Sequence, residues 1–278
     1  IFAMATCPSS DNLIIVTTDR IVRLFHANTL VEKSYSKFNE VLGVCAMHPS
    51  GNYVAIASSE YVLFCVIYYD KVEKIHQFPI PFCKSLCFTN AGDLLVAGSG
   101  SYLYVYDVYT RAEVAKATDF SGRIVSIAPV TKDFTSMRYS SDVIVTCSDG
   151  AVCRYNLTTL TKESATAIRS VHLIHAAPVS AAHYLSSSIH ASATQGIVST
   201  ISRSTLVASP NSSTLIPENP VFFAITSDGN IVVISSNMAE CPQYSSYLNT
   251  TNGSTITGAT GIQYTKGRAL CLINVMNY

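Results

Sequence analysis

One short pattern recurs along the 278 residues and leaves very few architectures open to the chain. A β-rich run leads into a tight turn, and a second run follows with Val, Leu or Ile near its start. Thr18 to Phe25, Ser59 to Phe64, Gly100 to Tyr106 and Asp149 to Tyr155 are full examples, and Gln195 to Val198, Asp228 to Ile231 and Gly267 to Leu270 are shorter ones. The equivalent apolar positions are Val22, Val62, Leu103, Val152, Val198, Ile231 and Leu270, spaced 33 to 49 residues apart. A hairpin unit of this size cannot bury both of its faces alone, so successive units must stack on one another. A period of about 40 to 45 residues with four short strands in each unit predicts an all-β, seven-bladed β-propeller.

The blades are expected at approximately 1–38, 41–78, 82–118, 123–168, 178–209, 212–247 and 254–278, forming one domain. In the second blade, Val41 to Met47 reads as the inner strand and His48-Pro49-Ser50-Gly51-Asn52 as a turn. Tyr53 to Ala57 and Tyr61 to Tyr68 then form the middle strands, and Val72 to Phe78 the outer one. Pro pre-sets φ and Gly accepts positive φ, which suits both to that turn. Cys7-Pro8-Ser9-Ser10-Asp11 and Asn90-Ala91-Gly92-Asp93 match it in the neighbouring repeats. Asp149-Gly150 and Asp228-Gly229 predict two-residue type I′ hairpins. Many runs are continuously apolar rather than alternating, as in strands covered on both faces. The last repeat stops after its third strand, so residues upstream of Ile1 are expected to supply the outer one, and the sequence reads as a slice of a longer chain.

Composition narrows the function. Charged residues are 13% of the chain, and 18 basic residues balance 18 acidic ones. No global field therefore favours nucleic acid or an anionic membrane as a partner. The longest apolar run, Tyr61 to Tyr69, lies between Glu60 and Asp70 and is far shorter than the roughly 18 residues of a membrane helix. The chain has 9 cysteines, and Cys45, Cys65, Cys87, Cys147, Cys153 and Cys271 sit in apolar runs, where a free thiol packs as a small hydrophobe. Asn156, Asn211, Asn249 and Asn252 begin glycosylation sequons, which a chain rich in Ser and Thr produces by chance.

Catalytic and metal constellations are sought next. Glycoside hydrolysis needs two apposed carboxylates, but Asp11, Asp19, Glu60, Asp93, Asp149 and Asp228 fall in turns, where they accept local backbone hydrogen bonds. Cys83 and Cys87 are four apart on an inner strand and should point the same way. No second pair answers them at zinc-site spacing, so core packing is the favoured reading. His172 and His175 read as loop or edge histidines. Tyr102, Tyr104 and Tyr106 share one strand face by their period of two and are expected to pack between blades. No catalytic residue, cofactor or metal is expected.

The motifs resemble WD repeats. Thr18 to Phe25 is similar to the end of such a repeat, with Phe25 in the place of its Trp, and Tyr106-Asp107 and Tyr155-Asn156 occupy the Trp-Asp slot. The chain contains no Trp and no Gly-His dipeptide of that family. The order of Asp19 to Phe25, His48 to Gly51, Cys87 to Gly92, Tyr102 to Tyr106 and Asp149 to Leu157 is similar to the second propeller of a cilia- and flagella-associated family of WD-repeat scaffolds. That resemblance implies a place in the axoneme of motile cilia or flagella, within the cytoplasmic cytoskeleton. It also implies doublet microtubules and inner-arm dynein as partners, and a long coiled coil outside this sequence as a candidate for mediating oligomerisation.

The resulting expectation is a non-catalytic protein-interaction scaffold. A trafficking or coat-complex propeller and, more remotely, a propeller-fold glycosidase-like enzyme remain open beside it. Recognition is expected in loops on a firm scaffold. The candidates are the longest departures from the repeat: Thr131 to Ser141, with Lys132, Asp133, Phe134, Arg138 and Tyr139 as candidate partner-binding residues, and Glu163 to Ala177.

Overall fold

The computed structural model describes residues 1–6, 9–130 and 142–167, together with strands at 173–179, 198–200, 221–226, 230–234, 246–247, 254–262 and 270–277. Among the described residues every regular element is a β-strand. The chain divides into two compact units, Ile1–Ile127 and Ala128–Tyr278.

The first unit holds three antiparallel sheets, each of four strands consecutive in the chain. They are β1 to β4 (Ala3–Thr6, Asn12–Val16, Ile21–His26, Glu32–Lys37), β5 to β8 (Leu42–Met47, Tyr53–Ser58, Val62–Ile67, Val72–Phe78) and β9 to β12 (Cys83–Phe88, Leu94–Ser99, Tyr102–Asp107, Glu113–Ala117). Each strand pairs with the next along the chain, so a sheet is a meander of hairpins.

The middle sheet shows why its sequence reads as a continuous apolar run. On β6 and β7, Val54, Ile56, Leu63 and Cys65 pack into a cluster with Ile14, Val16, Val22 and Leu24 of the first sheet. Their neighbours Ala55, Ala57, Val62 and Phe64 pack into a second cluster with Leu86, Phe88, Leu95 and Tyr106 of the third. Cross-strand partners share a face: Val54 lies opposite Cys65, and Ala55 opposite Phe64. Alternate residues thus serve two different cores, and neither face is left for polar side chains. Phe78 and Ile80 are fully buried in the second cluster, and each such side chain stabilises the fold by about 2 to 3 kcal/mol. The outer strand β4 has no fully buried residue.

The second unit begins inside β13 (Ile124–Pro129), which leads a sheet continued by β14 (Asp142–Cys147), β15 (Ala151–Asn156) and β16 (Thr161–Ala167). The β14–β15 turn corrects one expectation. Only Gly150 of the Asp149-Gly150 pair has positive φ, and its N–H donates to the Cys147 carbonyl at 3.1 Å. The connection is therefore not a type I′ turn but a longer loop with glycine at its left-handed position, and Asp149 Oδ1 accepts the Ala151 N–H at 3.1 Å. Asp228-Gly229 lies outside the described residues.

Beyond 167 the described strands form two further sheets. One runs β17 (Leu173–Val179), β19 (Val221–Thr226), β20 (Asn230–Ile234) and β21 (Ser246–Tyr247). The other runs β18 (Val198–Thr200), β23 (Leu270–Asn277) and β22 (Ser254–Ile262). In the first of them β17 pairs directly with β19, with Ala176 opposite Ala224. In the last sheet the strand beside β23 is β18, drawn from earlier in the chain, with Val198 opposite Leu272. Ser and Thr are dense between these strands, which supplies strand propensity without a continuous apolar face to fix the register.

Candidate functional site

The surfaces available for recognition are set by the turns, and two kinds of turn are tied down by named side chains. At the first-to-second-strand turns of the first unit, side chains reach from one sheet to the next. Ser9 Oγ donates to the Pro49 carbonyl. His48, in the next turn, places Nε2 2.8 Å from the Gly92 carbonyl of the turn after that. His48 Nδ1 accepts the Ser50 N–H at 3.1 Å, so the ring is neutral with its proton on Nε2. Burial holds His48 below its ordinary value, opposed by the Gly92 hydrogen bond. The ring packs edge-on against Phe88 and Tyr53, with centroids 5.1 and 5.7 Å away. Tyr53 stacks on Phe64 at 5.3 Å, and Phe78 meets Tyr106 at 4.8 Å. This aromatic column fills the space between the second and third sheets without any Trp.

The third-to-fourth-strand turns use the slot where WD repeats carry Asp. Asp107 Oδ1 accepts the N–H groups of Tyr109 and Thr110 at 2.9 and 2.7 Å, and those Thr110 bonds hold its carboxyl below the usual range. Asn156 Oδ1 accepts from Thr158 and Thr159 at 2.8 and 3.0 Å. Asn156 Nδ2 donates to Glu163 Oε1 at 2.7 Å, so the amide of that sequon is committed to the turn. The aromatic of each dipeptide points its hydroxyl to a local acceptor: Tyr106 to Glu113 Oε2 at 2.9 Å and Tyr155 to the Leu160 carbonyl at 2.8 Å.

Lys132, Asp133, Phe134, Arg138 and Tyr139 lie outside the described residues; their segment joins β13 to β14. At its base the Val130 N–H donates to the Asp142 carbonyl at 2.9 Å. Asp142, only 5% exposed, accepts Arg154 Nε at 2.9 Å and Arg154 Nη2 through Oδ2. Sequence reasoning missed this pair, although an Asp opening an otherwise apolar strand was the signal for it. The second candidate segment, Glu163 to Ala177, is not one loop, since β16 and β17 take up all of it except residues 168–172.

The cysteine pair divides between two faces. The register of β9 shifts opposite Gly98 and Ser99, with Ser85 facing Gly98 and Cys83 facing Ser99. This bulge turns Cys83 into the cluster that holds Leu86 and Phe88, while Cys87 lies opposite Val96, so the two thiols do not share one face as expected. Burial pushes the Cys83 and Cys65 thiols up to about 12, which suits packing rather than nucleophilic or ligand chemistry. Among the described residues no three His, Cys, Asp or Glu side chains converge as a metal site. The tyrosine row does share a face. Tyr104 and Tyr106 are buried in the second cluster, Tyr102 is exposed, and Lys116 Nζ lies over the rings of Tyr102 and Tyr104 at 4.6 and 4.8 Å.

No family model matches the chain. Over 170 residues, 61% of its length, it is 22% identical to mouse Cilia- and flagella-associated protein 57, and the match spans 13% of that protein. Among solved structures, the β-propeller domain of Cps50 (Swd1) from Myceliophteria thermophila superposes with a TM-score of 0.59 at 13% identity, covering 97% of this chain and 81% of that one. Four-stranded meanders, turns capped through the Trp-Asp slot and these two likenesses agree: the chain is a WD-repeat-type β-propeller that resembles Cilia- and flagella-associated protein 57.

Proposed function

We propose that this propeller is a non-catalytic scaffold of motile cilia or flagella, held in the axoneme and engaging doublet microtubules and inner-arm dynein. The observation that carries the reading is the 170-residue similarity to a protein named for cilia and flagella. The residue chemistry is compatible with it. The turn acids Asp107 and Asp149 spend their oxygens on backbone N–H groups, and buried Asp142 is neutralised by Arg154. What such a fold offers a partner is a set of turns on firmly packed sheets.

A tagged copy expressed in a flagellated cell tests the assignment. It should enter the flagellum and remain with the axoneme after detergent and salt extraction. A tag confined to the cell body, or to vesicles and transport trains, overturns it. Within this reading Lys132, Asp133, Phe134, Arg138 and Tyr139 form a partner-binding segment. Replacing Phe134, Arg138 and Tyr139 together by alanine should weaken recovery of axonemal proteins in a pull-down while leaving thermal stability nearly unchanged. Equal recovery removes the segment from the proposal.

A further inference from the structure

The tyrosine row of β11 carries a feature that packing between sheets does not require. Tyr104 and Tyr106 are buried in the second cluster, while Tyr102 is 45% exposed. The Tyr102 and Tyr104 rings stand 6.4 Å apart and are tilted by 57° to each other, so they form two walls of a notch on the sheet face. The Lys116 ammonium of β12 occupies it, with Nζ 4.6 Å from one ring centroid and 4.8 Å from the other. Register brings the groups together: Lys116 lies opposite Tyr104, and Glu113 opposite Tyr106, so these side chains share one face. The Tyr106 hydroxyl donates to Glu113 Oε2 at 2.9 Å and fixes a carboxylate beside the notch. A hydrogen bond to the Tyr104 hydroxyl holds the Lys116 ammonium above its ordinary value, and the charge of Glu113 adds to the rise.

Cations stand over aromatic rings at two other described places, and both are anchored by carboxylates. Arg23 lies 5.9 Å from the Tyr35 ring and pairs with Glu32 at 3.0 Å. Lys71 lies 5.4 Å from the Tyr68 ring and pairs with Glu73 at 2.8 Å. Lys116 sits closer to its rings than either, yet makes no ion pair among the described residues. It is exposed, on the end strand of its sheet. An exposed cation–π contact is weak, so the ammonium leaves for water at little cost. What it vacates is a preformed pair of aromatic walls beside a carboxylate, which is the recognition chemistry of an alkylammonium.

Hydration decides which ammonium takes its place. A primary ammonium is compact and strongly hydrated, and gains nothing over Lys116, which is already tethered at the site. A quaternary ammonium has no N–H to give to water and lays its methyl groups on both rings. We infer that the notch formed by Tyr102, Tyr104 and Glu113 is a binding site for a trimethylated lysine side chain of a partner protein, with Lys116 as its resident stand-in. The inference deepens the scaffold reading and rests on it only in taking the carrier of the ligand to be a protein.

The test is fluorescence anisotropy with the full chain and a labelled Gly- and Ser-rich nonapeptide bearing one central trimethyl-lysine. Two control peptides carry unmodified lysine, or the neutral isostere with carbon in place of the ammonium nitrogen. The trimethylated peptide should bind at least about tenfold more tightly than either control, because only it joins charge to methyl contact. Lys116→Ala removes the tethered competitor and should tighten that binding about tenfold, with an unchanged melting temperature. Tyr102→Ala should weaken it at least about tenfold, alone or combined with Lys116→Ala. A merely structural Lys116 would not gain ligand affinity when truncated. No binding of the trimethylated peptide by the parent or by Lys116→Ala, equal binding of the neutral isostere, or indifference to Tyr102→Ala overturns the site. Co-sedimentation with phosphatidylcholine vesicles, in the absence of peptide binding, would assign the notch to a lipid headgroup and overturn the protein ligand. Failure of the tagged chain to enter flagella would leave this result intact, and failure here would leave the ciliary assignment intact.

Discussion

His48 and Gly92 stand 44 residues apart and meet between the second and third sheets, the imidazole Nε2 lying 2.8 Å from the glycine carbonyl. The pairing constrains both members. Gly92 has φ +77, and a Cβ added there would press into the imidazole, 2.6 Å from Cε1. Gly92→Ala therefore meets two penalties: left-handed strain of about 1 kcal/mol, and displacement of a buried ring from its hydrogen bond, about 1 to 3 kcal/mol. A loss of roughly 2 to 4 kcal/mol by urea unfolding is expected, with His48→Phe losing less because the ring packing is kept. A Gly92→Ala variant as stable as the parent would show that the turn relaxes without the latch.

The same histidine sets a pH dependence. Its folded value is held down by burial from the ordinary 6.5, so between the folded and unfolded values the unfolded chain binds more protons. Stability then rises with pH through that window. The contribution is complete above about 6.5 and is lost as pH falls through the folded value. His76, also lowered chiefly by burial, acts in the same direction. Urea midpoints measured from pH 7.5 down to 5 should decline, and His48→Gln should flatten the slope. Parallel curves for parent and variant would assign the slope to other groups.

Asp142 and Arg154 close the base of the segment that follows β13. With the Asp142 side chain 6% exposed and that of Arg154 18% exposed, removing one partner strands the other charge in a poorly solvated place. Asp142→Ala is expected to cost about 3 kcal/mol, whereas Asp142→Leu with Arg154→Met should recover most of that loss. Glu163, 3.4 Å from Arg154 Nε and more exposed, should matter by less than about 1 kcal/mol. Thermal unfolding of Asp142→Ala, the double variant and Glu163→Ala checks the order.

The buried thiols give a chemical counterpart. Cys65 and Cys83 are free and have pKa values pushed up to about 12 by burial. At pH 8 they should be silent toward a thiolate-selective disulfide reagent in the native chain and react only when it unfolds. Labelling followed by peptide mapping reads this directly. Rapid native modification of Cys83 would place it at an open edge instead of in the core.

Much of this was legible from turns and apolar runs. His48-Pro49-Ser50-Gly51 announced a turn because Gly51 must take φ +76, and the unbroken run Val62 to Ile67 announced a strand covered on both sides. Two kinds of feature were hidden. A bulge is a one-residue offset between partners, so the sequence of β9 alone could not show that Cys83 and Cys87 part company or that Lys84 is pushed outward. Register in the Ser- and Thr-rich stretch was equally hidden, because a strand without a distinct apolar face can pair in several ways. The Asp slot shows the converse: Asp107 and Asn156 kept a turn-capping role that needs only an acceptor oxygen, and so survived without the Trp beside it.

The left-handed residues at the third-to-fourth-strand turns yield a final prediction. Leu30, Arg111 and Leu160 have φ of 55, 61 and 57°. The Leu30 and Arg111 N–H groups donate to the His26 and Asp107 carbonyls at 2.8 and 2.9 Å, so the turn bond holds the backbone there whatever the side chain. Leu30 is 66% exposed and recovers little by packing. Left-handed backbone costs a residue with a Cβ about 1 to 2 kcal/mol, and glycine loses some of that advantage through its freer unfolded state. Leu30→Gly should therefore raise stability by about 0.5 to 1 kcal/mol, and Arg111→Gly by a similar amount, additively because the two turns belong to different sheets. Thermal melts of both single variants and the double variant test this. If Leu30→Gly lowers the melting temperature, the leucine makes an interaction that its exposure conceals, and the turn joins the surfaces where a partner should be sought.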